Sequence, residues 1–481
     1  MDMLKKALLN PQTPFWLITF SAMIGLTLPT LIQDGMFMDA MLYTSVSHNL
    51  SMGIGTFWFP KFSIYNVGTL PSFHEQPPLV FGIQSVFFKI FGDSMYVERF
   101  YTFLAMCITA MLILHLWNEI FNREKSLKSP GWLPVLLWIT IPVCFWSFSN
   151  NMHENTMGIF TLSAVVLMYK ASLSEKPRTL AWITAGIFIF LATLSKGLPG
   201  FFPVTVPFLY WIITKKSTFS KTAIQTVLIL AVPVILYGIL FIIPESRDSL
   251  STYLFKRALH RINAVPTVDN RFWIFYRLFT ELLPQIMFVI IIWLVGKLKK
   301  IKQNFPEHTR TALFFLAVGL SASAPLMLTL VQKGFYFVPA LPFFAVGLSM
   351  LAAPIISNLT DRIITNTTPF KLLLLLSALL LAGTAAFAVM QQGKTSRDNQ
   401  VLHDVYLIGK VVPRQTTVSI PDTMWNDFSL QCYLVRYFNI SLDPFYRKSY
   451  YIIDRTMQLS VPADYQKVDI KTGQYDLYKY R

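Results

Sequence analysis

Apolar runs of about 20 residues recur along this chain, and that is the length an α-helix needs to cross roughly 30 Å of hydrocarbon at about 1.5 Å per residue. Eleven are readable, near 14–33, 98–119, 131–149, 155–172, 179–195, 198–214, 222–244, 273–296, 311–331, 335–355 and 371–390. In lipid each backbone N–H and C=O must be satisfied internally, so such runs fold as helices. Charged residues make up only 14% of the 481 and hydrophobic ones 54%, which excludes an ordinary soluble globular protein. The expected fold is an α-helical polytopic membrane protein of about 11 spans plus outer interfacial helices, with a small C-terminal soluble α/β domain.

The basic residues orient these spans, because short cytoplasmic loops collect Lys and Arg. With the N-terminus inside, the cytoplasmic loops carry Arg123, Lys125 and Lys128; Lys176 and Arg178; Lys215, Lys216 and Lys221; and Lys297, Lys299, Lys300, Lys302 and Arg310. A crossing by the short apolar segment 78–92 would turn all later loops outward. It is therefore read, like 39–52, as a helix lying in the outer interface. The expected organisation is a transmembrane catalytic domain over 1–390, with 34–97 as its first outer loop, and an extracytoplasmic α/β domain over 391–481. That tail has β-rich runs "TTVSI", "CYLVRYF" and "SYYIID" and a helix at 398–410. The three cysteines form no disulfide framework and read as packing residues. No internal repeat is visible, which counts against a secondary transporter.

Polar residues on the outer side are the candidates for chemistry. The first outer loop brings Asp34, Asp39, His48, Lys61, His74 and Glu75, and the next outer turn brings His153 and Glu154. Asp39 opens a helix, as either its N-cap or a catalytic carboxylate. Glu75 stands in "HEQPP", where the prolines hold the preceding side chains in place. Asp39 and Glu154 supply two oxygens for a divalent metal ion, although no HxxxH or DxD spacing accompanies them. Each carboxylate alone is as well explained by solvation.

A second group is basic and stands against the topology rule. Arg247, Lys256, Arg257, Arg261 and Arg271 crowd the outer segment 245–272, with Lys196 and Lys333 at outer span ends. Snorkelling toward headgroups explains any one of them. As a group they suit phosphate, which Arg grips bidentately. Tyr43 and Tyr336 lie at interface depth, where aromatics are ordinarily anchors. The net charge of +16 suits lipid phosphate or nucleic acid by number alone.

"DAMLYTSVSHNL" followed by "FHEQPPLVFGIQSVFFKIFGDSMYVERF" resembles the first outer loop of the GT-C glycosyltransferases, among them the lipid A aminoarabinose transferases and protein O-mannosyltransferases. "QKGFYFVPALPFF" resembles their later Lys-x-x-Tyr-x-x-Pro span, and the likeness runs over about 34–350. It implies an inverting transfer of a sugar from a polyprenyl-phosphate donor to a lipid A, protein or glycan acceptor, at the outer face of a bacterial cytoplasmic membrane. Asp39 and Glu75 would be catalytic. Lys196, Arg257, Arg261, Lys333 and Tyr336 would hold the donor phosphate, and Asp39 with Glu154 a metal. Asp34, His74, His153 and Tyr43 are lesser candidates. Two departures stand out: Asp39 is followed by Ala40 rather than a second acid, and Gln76 precedes the prolines where Lys or His is frequent. The expected partners are the lipid-linked donor, the acceptor and membrane lipids, with no nucleic acid. The alternative is a transporter or flippase of lipid-linked sugars, which calls for polar groups at mid-bilayer.

Overall fold

The computed structural model describes residues 9–66, 70–121, 129–260, 265–301, 306–457 and 460–481. The chain forms two compact units: Met1–Pro29, Thr102–Ser149 and His153–Met390 make one, and Thr30–Tyr101, Asn150–Met152 and Gln391–Arg481 the other.

The larger unit is helical. Among the described residues of the whole chain, eight helices are long and apolar enough to cross a membrane, against eleven runs in the sequence. The other three runs take different forms. Run 131–149 is two helices, Trp132–Ile139 and Pro142–Phe148, because Pro142 has no N–H to continue the first and opens the second. Run 198–214 begins as a 3-10 helix, Leu198–Thr205, before the short α-helix Val206–Thr214. Run 155–172 is one helix, His153–Ser172, whose polar first turn lowers its mean hydropathy. Leu341–Asp361 is enclosed almost all round and forms the centre of the unit. Thr368–Val389 instead exposes Leu372, Leu375, Leu376, Leu379 and Leu380, as a lipid-facing helix does. Gly186 lets Thr179–Lys196 lie directly against Phe219–Ile242, since a Cβ there would stand 2.8 Å from the Ile229 carbonyl.

The smaller unit is built on the helix Met38–Ser51. Every residue from Ala40 to Asn49 is buried. The expectation of an interfacial helix with one polar face fails here, because Thr44, Ser45, Ser47, His48 and Asn49 find protein neighbours rather than water. Leu79–Phe91 is about 20 Å long, too short to span. It buries Val80, Phe81, Gln84 and Phe88 and exposes Val86, Ile90 and Phe91.

The tail contributes a five-stranded sheet of β1 (Thr417–Ser419), β2 (Ser441–Asp443), β3 (Tyr450–Asp454), β4 (Tyr465–Lys467) and β5 (Tyr475–Tyr480), in the order β2-β1-β3-β5-β4. β1 pairs in parallel with β2 and β3, whereas β5 is antiparallel to β3 and β4. Parallel neighbours need a crossover, and Phe428–Phe438 supplies it between β1 and β2. This corrects the β reading of "CYLVRYF". Asp427 caps the helix by accepting from the Leu430 N–H at 3.1 Å, and the left-handed Asn439 ends it.

Candidate active site

In the smaller unit the two leading carboxylates differ in setting. Asp39 lies in the first turn of Met38–Ser51, but the N-cap is Phe37. The Phe37 N–H is taken by the Asn150 side chain at 2.9 Å. Asp39 is thus no cap, and its half-buried carboxylate gains from the helix dipole instead. It lies near Cys432, whose thiol is pushed well up, by burial first and then by the charges of Asp39 and Asp427. Glu75 is half-buried between two residues held by hydrogen bonds. His74 meets the Ser72 hydroxyl at 2.9 Å, and the Gln76 amide donates to the Tyr43 hydroxyl at 3.0 Å. Tyr43 is buried edge-on against Phe73 and Phe81.

Asp34 is fully engaged. Tyr437 donates to Oδ1 and Tyr406 to Oδ2, each at 2.6 Å, the Gly35 N–H adds a third bond at 2.6 Å, and Arg99 stands 3.6 Å away. Both tyrosine hydroxyls are pushed up, by burial above all and also by the Asp34 charge. An extended network runs beside it. Arg436, 1% exposed, bridges Asp93 at 3.1 Å and Glu98 at 2.9 Å, and Glu98 in turn meets Arg99 at 3.2 Å. Asp93 also receives His48 at 2.6 Å and Arg414 at 3.4 Å. Burial raises the Asp93 carboxyl, but the His48 hydrogen bond and the His48, Arg436 and Arg414 charges outweigh it and bring it down to about 2. Arg436, Tyr406 and Tyr437 were not among the sequence candidates. Their partners lie more than 300 residues away, which no local pattern reveals.

In the larger unit, the structure joins two residues given separate tasks. The Glu154 carboxylate and the Lys196 ammonium stand 3.1 Å apart, 1% and 7% exposed, beside the buried His153. The Lys196 carbonyl accepts from Tyr253 at 3.4 Å. Lys333 is exposed at the start of the 3-10 helix Gly334–Ala340, with Tyr336 half-buried one turn on. Gln332 anchors this start by donating to the Arg271 and Thr329 carbonyls at 2.8 and 2.9 Å. Arg277 packs on Gly334 and pairs with Glu281 at 2.5 Å, and Glu281 also accepts from the Val143 N–H at 2.7 Å. Arg257 is half-buried on the π-helix Thr252–Ala258. Arg261 lies outside the described residues. Among the described residues no three His, Cys, Asp or Glu come together as a metal site. The Glu154 carboxylate is paired with the Lys196 ammonium instead, so its setting does not fit a divalent metal.

The fold has known counterparts. The family described as dolichyl-phosphate-mannose-protein mannosyltransferase matches residues 75–239, about a third of the chain. The chain resembles ArnT from Cupriavidus metallidurans bound to undecaprenyl phosphate at 12% identity and a TM-score of 0.61, covering 96% of this chain and 97% of that one. The apo form of that ArnT gives the same identity and score over 95% of each. Archaeal oligosaccharyltransferase AglB from Archaeoglobus fulgidus, in complex with an inhibitory peptide and a dolichol-phosphate, is similar at 14% identity and a TM-score of 0.50. That likeness covers 87% of this chain and 63% of AglB, so the chain spans less than two thirds of that protein's length. No curated protein sequence matches the chain. The fold is that of a polytopic membrane protein of the ArnT type. The family match, over residues 75–239, lies inside that fold.

Proposed function

We propose that this enzyme transfers a sugar, with inversion, from a polyprenyl-phosphate donor to a hydroxyl or phosphate of a lipid, protein or glycan acceptor. The observation that carries this reading is the end-to-end likeness to an ArnT bound to undecaprenyl phosphate, with the mannosyltransferase match spanning Glu75, Glu154 and Lys196. In the reaction the acceptor oxygen forms a bond to the sugar's anomeric carbon as the bond from that carbon to the donor phosphate breaks. Polyprenyl phosphate leaves with the bonding pair. A hydroxyl acceptor gives its proton to a carboxylate, for which Asp39 is the first assignment and Glu75 the second; a placed base contributes about 10²–10⁴-fold. A phosphate acceptor needs no base, and Asp39 then positions it.

The donor phosphate is assigned to Arg257, Arg261, Lys333 and Tyr336. Cations fixed where the leaving group gains charge stabilise the transition state more than the bound donor. Lys196 belongs to this group only through Glu154, which shares its charge. The basic loops 173–178, 215–221 and 297–310 favour the cytoplasmic side, which assigns the reacting face and the domain 391–481 to the outer side of a bacterial cytoplasmic membrane.

The test is to incubate the purified protein in nanodiscs with polyprenyl-phosphate-linked mannose or aminoarabinose and an envelope extract. Sugar appearing in covalent linkage, with free polyprenyl phosphate released in equal amount, supports the reading. Donor that stays intact across all extracts, or that only changes leaflet, contradicts it.

A further inference from the structure

In the larger unit, Lys333 closes a stretch, 329–333, that is neither helix nor strand, and the backbone groups of such a stretch need partners from elsewhere. Its two ends are extended, with Thr329 at φ −121° and Lys333 at φ −130°. Successive side chains of an extended chain point to opposite sides, so burying one residue turns the next outward. Gln332 is 2% exposed and Lys333 is exposed. The seat of Gln332 therefore sets the direction of Lys333.

That seat is built by a second stretch, 265–271, just before the helix Trp273–Leu298. Besides the amide bonds to the Arg271 and Thr329 carbonyls, the Gln332 backbone N–H donates to the Thr267 hydroxyl at 2.9 Å, and that hydroxyl donates to the Gln332 carbonyl at 3.1 Å. The Thr267 N–H adds a bond to the Leu330 carbonyl at 3.0 Å. Within 329–333, the Val331 N–H donates to the Thr329 hydroxyl at 3.0 Å, a local turn that stiffens the stretch. An apolar side chain could fill the space of Gln332 but would leave the two carbonyls without its N–H groups.

We infer that Gln332 and Thr267 are positioning residues for the donor phosphate and act through Lys333. A cation carried on a fixed backbone loses less freedom when phosphate binds, and it stands in place for the charge that grows on the leaving group. The inference rests on the assignment of Lys333 to that phosphate in the proposed transfer.

The experiment titrates the full-length protein in phosphatidylcholine nanodiscs with undecaprenyl phosphate, with no sugar donor present, and reads binding by native mass spectrometry. Lys333→Met should weaken binding about tenfold or more, the scale of a lost charge-assisted contact. Gln332→Met, close in length but without the amide, should weaken it about three- to tenfold, and Thr267→Val by a similar factor. Thr267→Ser keeps the hydroxyl and should bind as the unaltered protein does. Thr267 is exposed, so its variants leave the core intact. In a Lys333→Met background neither Gln332→Met nor Thr267→Val should weaken binding further. A merely structural role would weaken it by the same factor in both backgrounds, and that result overturns the inference. So does a probe that fails to saturate, or binding left unchanged by Lys333→Met or by both clasp variants. The expected pattern in a protein that transfers no sugar would uphold the positioning role and remove the transferase reading. Unchanged binding by the variants of a protein that does transfer would do the reverse.

Discussion

The Glu154 carboxylate and the Lys196 ammonium form a buried ion pair at 3.1 Å, though one begins the helix His153–Ser172 and the other ends Thr179–Lys196. The lysine stands at the negative end of its helix and the glutamate at the positive end of its own, so both helix dipoles support the pair.

Breaking that pair from one side leaves a charge in a dry site. Lys196→Met should therefore cost about 3–5 kcal/mol, whereas Lys196→Met with Glu154→Gln should recover most of it. Thermal unfolding in detergent measures both. A double-variant loss equal to the sum of the losses from Lys196→Met and Glu154→Gln measured separately would show that the residues act independently.

Asp34 is expected to be structural. Asp34→Asn should destabilise the protein by about 1–3 kcal/mol, since it weakens two tyrosine bonds and leaves Arg99 with one fewer countercharge. Tyr406→Phe and Tyr437→Phe should each cost about 1 kcal/mol. Transfer per folded molecule should be unchanged in all three. A folded Asp34→Asn protein without activity would return Asp34 to the catalytic candidates.

Acid should act through Asp93. Its carboxyl is lowered from 3.8 to about 2 in the folded protein, so the stability it contributes is fully present above about pH 4 and is lost as pH falls through about 2. Half-exposure of Asp93 makes the effect modest. Asp93→Asn should flatten the stability profile between about pH 4 and 2. An unchanged acid limb in that variant would assign the loss to other carboxylates.

Gly197 carries a tighter constraint. It holds φ +83°, and a Cβ there would run into the Tyr253 hydroxyl. Gly197→Ala should destabilise by about 1–3 kcal/mol from the backbone alone. Adding Tyr253→Ala should relieve the overlap but not the backbone strain, so partial recovery is expected. Full recovery would mean that the strain is negligible.

Much of the fold was legible because apolar runs and loop charge are local signals. The runs at 131–149 and 198–214 were read as plain spans, and their prolines, Pro142 and Pro203, mark where regular helix fails. "CYLVRYF" read as a strand because Tyr, Val and Phe favour strands, while its cap Asp427 and its terminator Asn439 lay just outside the run. The site was legible in its residue types and not in its pairings. Nothing near Asp34 announces Tyr406 or Tyr437, and nothing near Arg436 announces Glu98, because charge partners meet through the tertiary fold. Asp39 read as cap or catalyst, and the position of Phe37 as N-cap removed the first.

The most direct measurement is mass spectrometry of product formed by the unaltered protein and by Asp39→Asn, each in nanodiscs with a polyprenyl-phosphate sugar and a hydroxyl acceptor. The expected result is glycosylated acceptor and free polyprenyl phosphate from the unaltered protein, and a loss of about 10²–10⁴-fold from a variant that remains folded. Product from Asp39→Asn at the unaltered rate, or none from either protein, would contradict the account.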